Sequence, residues 1–348
     1  MGKGDSVEAR ASELIARSAN VWDLTIPWVR MYWSIDVLKR YHRAGYTYAS
    51  LTIQDMPASF EGVLEDVRDF EAECEPHADW LCFARNSAEI DEAKRAGKLA
   101  LGLNVQDTVL VHDDLDRLET LRNIGVRHML LAYQVRNRAA DGCAEPANGG
   151  LSLFGRELVR KMNEVGIVVD GSHVGKRSSL DAIELSQTPV IFSHSGIKAV
   201  CDHIRNIDDE QICACADAGG VIGIVGIGAF LGDPDATAAT VFRHIDHVVQ
   251  LVGPEHAGIG TDFINDLAPV WKAIEESGGD AWHPNGQQRY DGVAFAPDQL
   301  NELVQIMMTN GYEVDAIRGI LGDNFRRVYD QVSGDSTVAS ESTGRQRS

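Results

Sequence analysis

Short runs rich in Val, Ile and Leu recur along this chain, each followed by a longer stretch whose apolar residues stand three and four apart. The first pattern predicts buried strands and the second amphipathic helices. Strand-like runs fall at 20–29 (NVWDLTIPWV), 46–54, 79–84, 98–105, 125–133, 166–175 (GIVVDGSHVG), 189–196 (PVIFSHSG), 220–228 and 256–263. Most are apolar on both faces, as strands of a helix-covered parallel sheet must be. Intervening helical stretches stop at Gly45, Gly125 and Gly166, the residue type that takes the left-handed C-terminal position most easily. Ser87 is the expected N-cap of the stretch SAEIDEAKRAG, with Glu89 suiting the helix dipole, and Ile90 at the third position excludes a full capping box. Alternation this regular, with right-handed crossovers, predicts an α/β fold of about eight strands, a (β/α)8 TIM-like barrel. No GxGxxG follows the first strand, which argues against a doubly wound nucleotide-binding sheet.

Three segments stand outside the repeat. Residues 1–18 form a polar lead-in containing a helical stretch, and 333–348 form a polar tail expected to be disordered. The barrel is expected to occupy 19–332 as one domain, with a long loop at about 265–296 that could lie over the site. Trp271 and Trp282 in that loop hint at an aromatic or hydrophobic ligand.

The formal charge of −20 changes the picture of partners more than of fold. Nucleic acid and anionic membrane surfaces would be repelled, leaving a small-molecule substrate as the default. No run of about 18 apolar residues appears, and the N-terminus lacks a secretory core. A cytoplasmic location with six reduced cysteines is therefore expected, Cys213 and Cys215 pointing to different helix faces rather than sharing a metal.

Candidate chemistry lies at the strand ends, which converge on one mouth in a barrel. Asp23 or Thr25, Gln106, Tyr133, His173, His194, Phe230 and Asp262 are placed there. His173 and His194 end neighbouring strands, a pairing suited to zinc or a similar divalent ion. Such an ion activates water and polarises a carbonyl, and Asp262 would accept the proton. His244 and His247 lie on a helix away from the mouth, whereas DGCAEPANGG (141–150) reads as a turn.

The segments GLSLFGRELVRKMNEVGIVVDGSHVG, TPVIFSHSGIKAVCDHIRN, HIDHVVQLVGPEHAGIGTDF and LGDNFRRVYDQV carry a resemblance to the membrane dipeptidase (renal dipeptidase, peptidase M19) family, over roughly residues 20–332. That resemblance implies a barrel of the metal-dependent amidohydrolase type, commonly a homodimer, with a binuclear zinc site hydrolysing dipeptides or related amides. It matches His173 and His194 to the pair holding the second zinc, Arg205 to the arginine gripping the substrate carboxylate, and Asp262 to the acid ending the last strand. Departures are as informative. The family's His-x-Asp on the first strand is absent from WDLTIPW: either Asp23 and Thr25 or Thr25 and Pro27 take those places. Gln106 stands for the bridging glutamate, Tyr133 for a further active-site histidine, and Phe230 where a tyrosine is often found.

A neutral amide cannot balance two dications as a carboxylate does. One metal rather than two is thus expected, on His173 and His194, joined by Gln106, Asp23 or Asp262. Tyr133 and Phe230 would contact a small carboxylate-bearing amide alongside Arg205. An ordinary zinc dipeptidase, a lyase or decarboxylase acting on an aromatic acid, and a catalytically silent binding protein are the alternatives.

Overall fold

Nine parallel strands carry the described part of the chain: β1 (Trp22–Pro27), β2 (Tyr48–Thr52), β3 (Leu81–Phe83), β4 (Leu99–Val105), β5 (Val126–Leu130), β6 (Val168–Asp170), β7 (Phe192–Ser195), β8 (Ile222–Ile224) and β9 (Ala257–Ile259). The structure is a computed structural model that describes residues 6–17, 20–28, 34–53, 59–276 and 292–334. The order β1-β2-β4-β5-β6 makes one sheet, β7-β8-β9 another, and β3 pairs only with the start of β4. The β3 run is thus a side strand, so nine strand-like runs yield an eight-stranded path.

Backbone bonds close both seams between the sheets. At one, Gly171 donates to the Ile191 carbonyl (2.8 Å) and Ile191 to that of Val169 (3.0 Å). At the other, Asp262 donates to the Thr25 carbonyl at 3.0 Å. The strands are buried on both faces except at a few ends, which is why their sequences lack polar alternation.

Phe325, Val328 and Tyr329 of the helix Asn324–Ser333 are buried and plug the N-terminal end of the barrel. A Cβ on Gly258 would lie 2.3 Å from the Phe325 ring, so only glycine lets that ring seat. Full burial of each such side chain contributes about 1.5–3 kcal/mol.

The predicted glycine stops are present, with φ of 94° at Gly45, 113° at Gly125 and 79° at Gly166. The predicted cap at Ser87 moves one residue back. Asn86 accepts from the Glu89 amide (2.9 Å) and donates to the Glu89 carboxylate (2.7 Å), which puts Glu89 in the third helical position that the Ser87 register denied it. The loop expected at 265–296 contains a helix, Ala268–Glu276, and its Trp271 is buried rather than displayed at the mouth. Trp282 and the expected tail from 335 onward lie outside the described residues. The lead-in carries the helix Val7–Arg17, which buries Ala11, Leu14 and Ile15 against the barrel. Among the described residues no helix is long and apolar enough to cross a membrane.

Candidate active site

One carboxylate below the mouth sets the two histidines. Asp170, at the end of β6, accepts from the backbone amides of Ser172 (2.9 Å) and Ser193 (3.1 Å), the residues immediately before His173 and His194. Ser172 Oγ in turn accepts from the His194 amide at 3.0 Å. Adjacent strands are thereby locked in the register that brings the imidazoles together, with Nε2 to Nε2 at 3.0 Å and ring planes tilted by 56°.

Both rings are buried, and both are held well below the ordinary histidine pKa, first by burial and then by the Arg205 guanidinium. They are therefore neutral, the form that ligates metal. Their Nδ1 atoms have protein partners, Gln134 Oε1 for His173 (2.8 Å) and the hydroxyls of Ser193 (2.7 Å) and Thr25 (3.1 Å) for His194. Two ligands of one tetrahedral zinc, each about 2.0–2.1 Å from it, stand roughly 3.3 Å apart. The observed spacing fits a single ion.

Two of the side chains expected to join the histidines, Gln106 and Asp23, are engaged elsewhere. Gln106 is half-buried and donates through Nε2 to Thr52 Oγ1 at 3.2 Å, within an uncharged row that includes Asn104 and Ser50. Asp23 is fully buried and accepts four hydrogen bonds: from the amides of Thr25 (3.1 Å) and Thr261 (2.8 Å), Tyr41 Oη (3.0 Å) and Thr261 Oγ1 (2.5 Å). That commitment ties β1 to the residues after β9 and uses the acceptor capacity of the carboxylate. Among the described residues no cluster of three or more His, Cys, Asp or Glu could hold a metal, so His173 and His194 stand as a two-residue pair.

Arg205 is 2 % exposed and donates to Ser195 Oγ (3.2 Å) and the His194 carbonyl (2.6 Å), and among the described residues its Nε has no hydrogen-bond partner. Among the described residues no carboxylate lies within ion-pair distance of it. A buried cation left so is costly until an anion arrives. Phe230 is also buried, its ring 5.9 Å below the guanidinium carbon. Tyr133 stacks on His173, with centroids 4.3 Å apart and planes at 25°. A cleft of ≈ 230 Å³, reached from His173 and Arg205 and edged by Cys143, Lys176 and Lys198, offers room for a small molecule.

Asp262 has a left-handed backbone (φ 54°), uncommon for a residue with a side chain. Burial pushes its carboxyl pKa up to about 7, opposed by Arg205 and reinforced by Asp23. A carboxyl raised in this way favours the folded state below its unfolded pKa, and that contribution is lost as pH rises through about 7. Asp262→Asn, which cannot ionise, is therefore expected to melt with wild type near about pH 4 and above it beyond about pH 7. A variant melting at or below wild type on the alkaline side would contradict the assigned burial.

Gln134, Cys143, Ser193 and Asp170 escaped the sequence-based list. Asp170 and Ser193 lie within the two runs that delivered the histidines, whereas Cys143 sits in the 141–150 segment read as a turn and Gln134 just past the strand-like run 125–133. His244, on its helix, is buried and bonded to the Ile197 amide and the Leu231 carbonyl, a packing role.

Fold and site together define an α/β barrel of the amidohydrolase-like architecture with its polar machinery at the C-terminal strand ends. The chain belongs to the membrane dipeptidase family (peptidase family M19), which it matches over residues 30–277. It is 28% identical over 282 residues to the dipeptidase verJ of Clonostachys rogersoniana, covering 79% of this chain and 66% of that protein. An uncharacterized dipeptidase, C965.12, of Schizosaccharomyces pombe is 30% identical over 240 residues, covering 67% and 53% respectively. The chain thus spans less than two thirds of the length of these curated relatives. Among solved structures, an amidohydrolase from Pseudomonas aeruginosa superposes with a TM-score of 0.83 at 28% identity, covering 93% of this chain and 99% of that one.

Proposed function

We propose that this protein is a single-metal hydrolase of small amides bearing a free carboxylate, with dipeptides as the reference substrates. The observation that carries the reading is the convergence of two neutral imidazoles, Nε2 to Nε2 at 3.0 Å, beside a buried guanidinium that has no carboxylate partner among the described residues. His173 and His194 would hold one divalent ion, zinc by family precedent, which when bound supplies polarisation of the scissile carbonyl or of water. Arg205 receives the substrate carboxylate, and its planar fork fixes the distance from that group to the scissile bond.

Asp262 then moves the proton. Burial holds its carboxyl above the ordinary carboxylate range, toward the range suited to a group that first accepts and later donates a proton. In its ionised form it takes a proton from the attacking water. The carbon–nitrogen bond breaks as that proton passes to the departing amine, leaving an acid and an amine. Tyr133 and Phe230 wall the site and limit water around the reacting atoms. The uncharged row at Gln106 speaks against the two-zinc arrangement of an ordinary family member.

Metal-supplied protein is expected to release amino acid from at least part of a dipeptide and N-acyl amino acid panel, and Asp262→Asn to lower kcat by about 10²–10⁴-fold. Absence of turnover across the panel by protein carrying one ion would sink the hydrolytic reading.

A further inference from the structure

We propose that Gln134 is a positioning residue that fixes His173 as its Nδ1–H tautomer and leaves His194 to carry the exchangeable proton of the pair. The inference rests on the reading of these two imidazoles as ligands of one ion. An amide carbonyl oxygen can only accept, so the 2.8 Å contact of Gln134 Oε1 with His173 Nδ1 requires the proton to sit on that nitrogen. Cys143 Sγ donates to the same oxygen at 3.0 Å, which keeps the carbonyl end of the amide turned toward the ring. His173 Nε2 then presents a lone pair toward His194 Nε2, 3.0 Å away. Two facing lone pairs would repel, so in the metal-free protein His194 carries its proton on Nε2 and donates it across the gap.

His194 is free to change. Its Nδ1 faces the hydroxyls of Ser193 and Thr25, which can donate or accept. Ligation through Nε2 would require the His194 proton on Nδ1, where a Ser193 or Thr25 hydroxyl would turn to accept it. No proton is gained or lost by the ring. Gln134 is thus the fixed half of the device and the Ser193–Thr25 hydroxyl pair the adjustable half.

The segment carrying Gln134 is built for this contact. Gln134 is buried with φ 63°, and His173 also lies in the left-handed region with φ 61°. The Ala144 amide donates to the Gln134 carbonyl, and the Cys143 amide to the His173 carbonyl, both at 2.8 Å. Gly142 bridges Val174, and a Cβ on it would lie 2.2 Å from the Gln134 carbonyl carbon, so the two loops meet only with glycine there. The stacked Tyr133 ring completes a clamp on one imidazole that the other does not have.

The test is ¹⁵N–¹H long-range NMR of the metal-free full-length protein labelled at histidine. Wild type is expected to show His173 as Nδ1–H and His194 as Nε2–H, and both as Nδ1–H after one equivalent of Zn²⁺. Gln134→Leu should lose the fixed His173 tautomer and bind Zn²⁺ roughly 10–100-fold more weakly, whereas Gln134→Glu, which keeps an acceptor, should restore both. A wild-type His173 protonated on Nε2, or a Gln134→Leu protein with unchanged tautomer and affinity, overturns the proposal. If Gln134→Leu does not fold, the wild-type assignment and Gln134→Glu still decide. Failure of wild type to bind Zn²⁺ would count against the single-metal reading, while the metal-free tautomers report on Gln134 independently.

Discussion

Arg205→Lys is expected to raise KM for a dipeptide by about 10–100-fold with a smaller change in kcat, since a charge-assisted hydrogen bond is worth about 1.5–3 kcal/mol and lysine cannot reproduce the fork. The guanidinium is buried over Phe230 and anchored to Ser195 and the His194 carbonyl. It is held in place before any ligand arrives, and a shorter ammonium would either miss the substrate or leave those anchors. The same dipeptide with its C-terminus as a carboxamide should be a poor substrate for wild type and indifferent to the exchange. Steady-state kinetics on the two proteins and two substrates form a cycle whose coupling term isolates the carboxylate contact. Equal losses for acid and amide would mean that Arg205 supports the fold of the site rather than the substrate.

His194→Ala and His173→Ala are each expected to remove metal retention and with it turnover. Loss of an outer-shell partner alone costs about 10–100-fold in affinity, and loss of one of two protein ligands should exceed that. Because the rings are buried, each variant needs a melting curve beside its metal content. A folded His194→Ala protein that keeps full metal and activity would move the site elsewhere. Thr25→Val is the informative companion, since it alters a hydroxyl on His194 Nδ1 without touching Nε2. It should weaken metal binding less than either histidine exchange.

Periodicity made most of the barrel legible, because burying a strand on both faces demands runs that no helix needs. His173 and His194 were legible for a related reason: each ends a β-branched run at a small-residue turn, so the topology alone brings them side by side. Less visible was whatever depended on distant partners. Asp23 reads as a replacement ligand from its place on β1, yet its carboxylate is claimed by Thr261 and Tyr41, and Thr261 is 238 residues away. Gln134 follows Tyr133 by one position, and nothing in its neighbours announces the left-handed backbone that turns it onto His173. The side placement of β3 and the Ala268–Glu276 helix were hidden too, the first because pairing partners are not local, the second because Pro269 and nearby glycines mask a short helix.

The family match sets the expectation of metal-dependent amide chemistry, and the site narrows it. Four uncharged side chains, Ser50, Thr52, Asn104 and Gln106, line the strand ends of β2 and β4, where the resemblance calls for a bridging carboxylate. Asp262 and Arg205 are coupled electrostatically, so the proposed proton-transfer and carboxylate-binding groups lie within reach of each other's charge.

Metal content per chain is the most direct measurement of the central claim. Purified full-length protein, loaded with excess Zn²⁺ and freed of unbound ion, should carry one equivalent by elemental analysis, and His173→Ala should carry none. Two tightly held equivalents in wild type would contradict the single-ion site.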